Sequence, residues 1–157
     1  MDVKYFMSQQ MSPTNEKEYA DLLAYLDFYS TYVSGVDPLD PIHPGNVMKQ
    51  IVEKFGPVQA LEGLRQAVND TVEDLSGQPP EYVEKLDSAL DARGIITFSE
   101  VRRRYASAYQ RVLKRGHIED ETEYYLVTGI LSDHSSIADE NEKALLAENV
   151  ARYEESS

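Results

Sequence analysis

The 157-residue sequence contains no cysteine and no tryptophan. Without cysteine the chain has no disulfide, no thiolate nucleophile, no thiolate zinc site and no cysteine-ligated iron–sulfur cluster. Its longest uninterrupted apolar run, Leu22 to Leu26, is far shorter than the roughly 20 residues that a membrane-spanning helix needs. The first four residues, Met1 to Lys4, lack the basic and then apolar pattern of a secretory signal. We therefore expect a soluble, cytoplasmic protein.

Sequence motifs for familiar catalytic and metal sites are also missing. No serine stands in a Gly-x-Ser-x-Gly elbow, no His-Glu-x-x-His occurs, and the glycines do not form a phosphate-binding loop. The histidines His43, His117 and His134 are too far apart in sequence for a paired metal site, so we expect surface or capping roles for them. We predict no metal, no cofactor and no enzymatic activity.

Basic residues are scarce, with 15 against 28 acidic residues and a net charge of −13. This charge repels nucleic acids and anionic membranes, so the expected partners are neutral or cationic. The bases are concentrated in residues 93–115, which carry 7 bases and 1 acid. Residues 1–92 carry 16 acids and 6 bases, and residues 116–157 carry 11 acids and 2 bases. One basic segment therefore lies between two acidic ones.

Apolar residues recur at helical spacing through most of the chain. The pattern predicts an all-α, single-domain bundle of six to seven helices over residues 1–157, with 1–12 as a loose arm and 154–157 frayed. The alternative is an α+β fold with a short N-terminal strand. Caps are predicted at Thr14 or Asn15, at Thr97 and at Asp120, and a helix end at Gly116. The predicted core stripes are Leu22, Tyr25, Leu26, Tyr29, Tyr32, Val33; Leu61, Leu64, Val68, Val72, Leu75; and Val101, Tyr105, Ala108, Val112.

Three prolines spaced by three residues predict a loop between Gly35 and Gly45. Asp37, Asp40 and His43 in this loop have the donor types of a hard-metal site. Aspartate before proline is also a common turn former, and no second histidine is near. We therefore favour the turn interpretation over the metal site.

Arginines dominate the predicted helix 99–115. Arg104, Arg111 and Arg115 are seven and then four residues apart, which places them on one face of a continuous helix. Such a face could grip phosphate or an acidic protein, or it could neutralise the two acidic segments within the fold. We favour the internal role for the cluster Arg102, Arg103, Arg104, Arg111 and Arg115.

An acidic run, Glu119 to Glu123, is followed directly by Tyr124 and Tyr125. Adjacent residues of a helix cannot both point into the core, so one tyrosine should be exposed beside dense carboxylates. Rigid aromatics and carboxylates together are suited to a basic protein surface. The predicted partner-binding residues are Glu119, Asp120, Glu121, Glu123, Tyr124, Tyr125, Asp70, Glu73 and Asp74.

These features favour a small acidic protein that binds another protein. The leading hypothesis is an inhibitor of the immunity or antitoxin type, which covers the basic substrate channel of a nuclease-like toxin or enzyme. One alternative is a nucleic-acid mimic, or a helix-turn-helix regulator that uses helix 99–115. Others are an enzyme with a carboxylate pair, Asp70/Glu73 or Asp120/Glu123, and a structural accessory subunit. The oligomeric state stays open.

Overall fold

The computed structural model describes residues 11–131 and 140–156. These residues form α-helices, connecting turns and one π-helical segment, and no β-strand occurs among them. Along the same two stretches, no helix has the length and apolar character needed to cross a lipid bilayer. The helices are α1 Pro13–Phe28, continued by the π-helical segment Tyr29–Val33; α2 Pro44–Phe55; α3 Pro57–Asp74; α4 Pro80–Asp91; α5 Phe98–Tyr105; α6 Ser107–Arg115; α7 Glu121–Leu131; and α8 Glu140–Ser156.

The all-α prediction is confirmed for the described residues, but the predicted number of helices is too low. The difference arises at Ala106, where the predicted helix 99–115 divides into α5 and α6. Ala106 has extended backbone angles, φ −68° and ψ 108°, which end one helix and begin the next. The side-chain amide of Gln110 donates a 3.1 Å hydrogen bond to the carbonyl of Arg103 and so bridges the break. Because alanine is the strongest helix former, propensity gives no indication of this break.

The α+β alternative is unsupported in the part of the chain that the structure describes. The N-terminal strand, and most of the predicted arm 1–12, fall on residues 1–10, outside the described residues. Met11 is buried and Ser12 accepts a 3.1 Å hydrogen bond from the Asn15 amide, which makes Ser12 the cap of α1. The cap predicted at Thr14 or Asn15 is therefore wrong: Pro13 suits the first helical position, so the cap lies before it. At the other end, α8 continues to Ser156. The fraying of residues 154–157 stays a prediction.

The described chain divides into two compact units. Unit 1 comprises residues 11–70 and Leu90–Ile96, and unit 2 comprises Thr71–Ala89, 97–131 and 140–156. The boundaries fall within α3 and α4. The single-domain prediction is not tested by this division and stays a prediction.

In unit 1, α1 packs against α2. The first four residues of the predicted stripe, Leu22 to Tyr29, are buried, whereas Val33 is half-buried. The core position predicted for Tyr32 is wrong: this side chain is 64% exposed, because the π-helical segment shifts the helical register. The predicted stripe of α3, which begins in unit 1 and ends in unit 2, is buried along its length. In unit 2, α7 contacts α5, α6 and α8. Val101 and Val112 are buried as predicted, whereas Tyr105 and Ala108 are half-buried. Tyr109 takes the inward position instead, because the break at Ala106 resets the helical register.

Candidate functional site

The turn between α6 and α7 is fixed by its own polar groups. Gly116 ends α6 in the left-handed conformation, φ +85°, which glycine adopts without a steric penalty. Asp120 caps α7 through a 2.8 Å hydrogen bond from the amide of Glu123. Both the predicted helix end and the predicted cap are therefore present in unit 2.

Glu123 points inward at this turn and is buried. Its carboxylate accepts hydrogen bonds from the guanidinium of Arg115 and, at 2.9 Å, from the amide of Glu119. A carboxylate used in this way holds the turn together and is not available to a partner. The prediction of Glu123 as a partner-binding residue is therefore wrong, because the helical register turns it toward Arg115.

The other carboxylates of the turn, those of Glu119, Asp120 and Glu121, are exposed. Tyr125 is 59% exposed, and its hydroxyl donates a 3.1 Å hydrogen bond to Glu121 Oε1. This hydrogen bond raises the pKa of Tyr125, since the neighbouring carboxylate favours the neutral phenol over the phenolate. We call these four residues, Glu119, Asp120, Glu121 and Tyr125, the α7 acidic surface.

Tyr124 lies beside the α7 acidic surface but packs onto α8. Its ring stacks on Tyr153 with a centroid distance of 5.2 Å, and its hydroxyl donates a 2.6 Å hydrogen bond to Glu154. That hydrogen bond raises the pKa of Tyr124. Of the two adjacent tyrosines, Tyr125 is thus the exposed one and Tyr124 is half-buried.

Asp70, Glu73 and Asp74 are exposed near the C-terminal end of α3. Asp70 belongs to unit 1, whereas Glu73 and Asp74 belong to unit 2. Their role in binding a partner stays a prediction.

The arginines of α5 contact groups of unit 2. The guanidinium of Arg102 lies 5.4 Å from the ring centre of Phe98 and donates a 3.3 Å hydrogen bond to the carbonyl of Gly129 in α7. Arg103 and Arg104 both bind the carboxylate of Glu100, Arg103 at 2.7 Å. The hydrogen bond to Glu100 raises the pKa of Arg103, against partial burial, which lowers it.

The two arginines of α6 differ from each other. Arg115 binds the buried Glu123 and lies 3.5 Å from Glu119. Arg111 is exposed. Because the chain breaks at Ala106, Arg104 lies on α5, whereas Arg111 and Arg115 lie on α6. The predicted common face of these three arginines is therefore wrong, since it required one continuous helix.

The loop of unit 1 between the π-helical segment and α2 is anchored by His43. This side chain is buried: Nδ1 lies 3.1 Å from Asp27 Oδ1, and Nε2 lies 2.9 Å from the hydroxyl of Thr31. His43 occupies the N-cap position of α2, although its side chain makes no capping hydrogen bond. The predicted surface position is wrong, because Asp27 of α1 and Thr31 of the π-helical segment supply two polar partners that make its burial favourable. Asp27 Oδ1 also accepts a 2.9 Å hydrogen bond from the amide of Gly45, so one carboxylate joins α1 to the start of α2.

His43 contacts Thr31 and Asp27 in the arrangement of a catalytic triad, with a hydroxyl, an imidazole and a carboxylate in sequence. The contacts of Asp27, however, are those of a structural anchor, since its Oδ1 also holds the first turn of α2. Sequence reasoning missed this set. Asp27 and Thr31 are four residues apart and share one face of the helix, but nothing in the sequence indicates that a proline-rich loop returns His43 to that face.

The two aspartates of the loop form turns, as predicted. Asp37 Oδ1 accepts a 2.8 Å hydrogen bond from the amide of Leu39, and Asp40 Oδ1 accepts a 3.0 Å hydrogen bond from the amide of Ile42. Among the described residues no group of three or more histidine or carboxylate side chains is placed to hold a metal ion. His117 is exposed and lies 3.6 Å from Glu119, whereas His134 lies outside the described residues.

Comparison of the chain with protein-family models, with curated proteins and with solved structures gives no match.

Proposed function

We propose that this chain is an acidic protein-binding protein whose α7 acidic surface contacts a cationic surface of another protein. The observation that carries the proposal is the division of roles in this turn. Glu123 and Asp120 fix the backbone, and Glu119, Glu121 and Tyr125 extend outward from it. A partner then meets a preformed group of carboxylates with one rigid aromatic side chain at its edge.

The charge of the chain affects both the rate and the orientation of association with a partner. With a net charge of −13, the chain attracts cationic partners at long range, and clustered carboxylates orient the encounter. Tyrosine contributes a large contact area at low cost in side-chain entropy, which is why it is enriched at the energetic centre of interfaces. The substrate channel of a nuclease-like toxin is cationic, because it binds phosphates. We therefore extend the proposal to an inhibitor of the immunity or antitoxin type.

The arginine contacts favour a protein partner over a nucleic acid. Arg103 and Arg104 bind Glu100, and Arg102 contacts Phe98 and Gly129. Guanidinium groups engaged in this way have fewer donors for phosphate. The helix-turn-helix alternative also requires an acid-rich α7 to approach the phosphates, which they would repel.

The partner can be captured with a photo-crosslinking amino acid in place of Tyr125 and then purified. Association is measured by stopped-flow fluorescence at low and at physiological salt. We expect Glu119→Lys combined with Glu121→Lys to slow association by about tenfold at low salt and to flatten its salt dependence.

The matched control is Glu81→Lys combined with Glu84→Lys in α4. These carboxylates are also exposed in unit 2, so the net charge changes by the same amount. The control should alter the rate by less than about twofold if position matters. Equal effects of the two double variants, or capture of acidic proteins only, would contradict the proposed surface.

A further inference from the structure

The loop of residues 35–43 in unit 1 is held in one conformation by a dense set of hydrogen bonds. Its two aspartates close successive turns, and the side-chain amide of Asn46 donates to the carbonyls of Pro38 and Asp40 at 3.1 and 2.9 Å. His43 attaches the end of the loop to α1. Pro38 and Pro41 fix φ at their positions. Little conformational entropy is therefore left in this loop.

Two large apolar side chains extend from this fixed backbone. Leu39 is 88% exposed and Ile42 is 69% exposed, and each follows an Asp-Pro pair. The sequence repeats Asp-Pro-apolar twice, and each turn places its apolar side chain on the surface. Because the loop is already ordered, burying these side chains against a partner costs less entropy than ordering a flexible segment would.

We propose that Leu39 and Ile42 form a docking element for a protein partner whose apolar pockets are surrounded by lysine or arginine. The two apolar side chains fill the pockets of the partner. Asp37 and Asp40, their neighbours in the chain, pair with the lysine or arginine side chains around those pockets. This inference depends on unit 1 alone, and it holds whether or not the α7 acidic surface binds anything.

Charge complementarity selects this partner over a second copy of the chain. Two copies, each with a net charge of −13, repel each other, and an apolar contact of two side chains is too small to overcome that repulsion at ordinary salt. The same aspartates disfavour an anionic membrane surface.

The test uses the full chain and three synthetic helical peptides of equal length. The first is amphipathic with leucine and lysine faces, the second has serine in place of leucine, and the third has glutamate in place of lysine. Nuclear magnetic resonance titration should show that the leucine–lysine peptide alone shifts the amide signals of residues 36–43. We expect Leu39→Ser combined with Ile42→Ser to weaken its binding by about tenfold or more.

The matched control is Phe55→Ser combined with Val58→Ser. These side chains are 67% and 64% exposed in the same unit, so they test whether any exposed apolar residue suffices. The control should change affinity by less than about twofold.

The inference is overturned if the leucine–lysine peptide does not shift the loop signals, or if the serine–lysine peptide binds equally well. It is also overturned if the Phe55→Ser, Val58→Ser control loses as much affinity as the loop variant. Finally, it is overturned if the chain self-associates or binds phosphatidylcholine vesicles and the Leu39→Ser, Ile42→Ser variant abolishes that binding. Failure of the α7 charge-reversal experiment leaves these expectations unchanged, so the two proposals fail separately.

Discussion

The loop that precedes α2 and the turn that precedes α7 are each fixed by one buried ionisable side chain, but they expose different kinds of side chain. In the first, buried His43 ties the backbone to Asp27 and Thr31, and Leu39 and Ile42 remain exposed. In the second, buried Glu123 ties the backbone to Arg115 and to the amide of Glu119. The second turn leaves carboxylates and Tyr125 exposed.

The comparison separates residues that hold a surface from residues that present it. In each case a buried ionisable side chain with two or more partners fixes the backbone conformation. Exposed side chains nearby that do not contribute to that conformation can differ in residue type. Stability should therefore depend on the inward members and binding on the outward ones.

The largest effect is expected for Glu123→Ala. This change leaves the guanidinium of Arg115 and the amide of Glu119 without the buried carboxylate, and it should lower the free energy of unfolding by about 3 kcal/mol. Glu121→Ala, an exposed carboxylate two residues earlier, should change it by less than about 0.5 kcal/mol. Chemical denaturation of both variants measures the difference, and equal values would remove the distinction between inward and outward acids.

A smaller effect is expected for His43→Ala, at about 2 kcal/mol, because the hydrogen bond with Thr31 and the 3.1 Å contact with Asp27 are both lost. The exposed His117→Ala is its control, with a change below about 0.5 kcal/mol. Hydrogen exchange adds a second measurement: the amides of residues 37–43 should exchange faster in His43→Ala alone. Unchanged exchange would mean that His43 does not hold the loop.

The smallest effect, opposite in sign, is expected at Asn149 in α8. Its side chain is buried, and within the described part of the chain neither its amide nitrogen nor its oxygen has a hydrogen-bond partner. Asn149→Leu should raise the free energy of unfolding by about 1 kcal/mol, since it removes an unsatisfied amide at similar volume. Denaturation midpoints of the two proteins give the answer, and a lower midpoint in the variant would show that the amide is engaged after all.

Sequence reasoning predicted local features well, because their causes lie within a few residues. The cap at Asp120, the helix end at Gly116 and the Asp-Pro turns all depend on neighbours in the chain. The buried stripes of α1 and α3 followed from helical spacing. That one of the two tyrosines Tyr124 and Tyr125 is exposed also followed from helical spacing, whereas partner binding by the α7 acidic surface stays a prediction.

What could not be predicted depends on contacts between distant residues or on a single backbone angle. The inward direction of Glu123 requires Arg115, eight residues earlier and across a turn. The burial of His43 requires Asp27 of α1 and Thr31 of the π-helical segment. The break at Ala106 has no local cause in composition, and it changed both the helix count and the grouping of the arginines.

The break at Ala106 also changes where the basic residues lie relative to the ends of helices. A helix carries partial negative charge at its C-terminal end, and dividing one helix into two creates a second such end inside the basic segment. Arg102, Arg103 and Arg104 occupy the last turn of α5, and Lys114 and Arg115 occupy the last turn of α6. Five bases therefore lie in the last turns of two helices, where positive charge is favourable, whereas one uninterrupted helix would have a single C-terminal end.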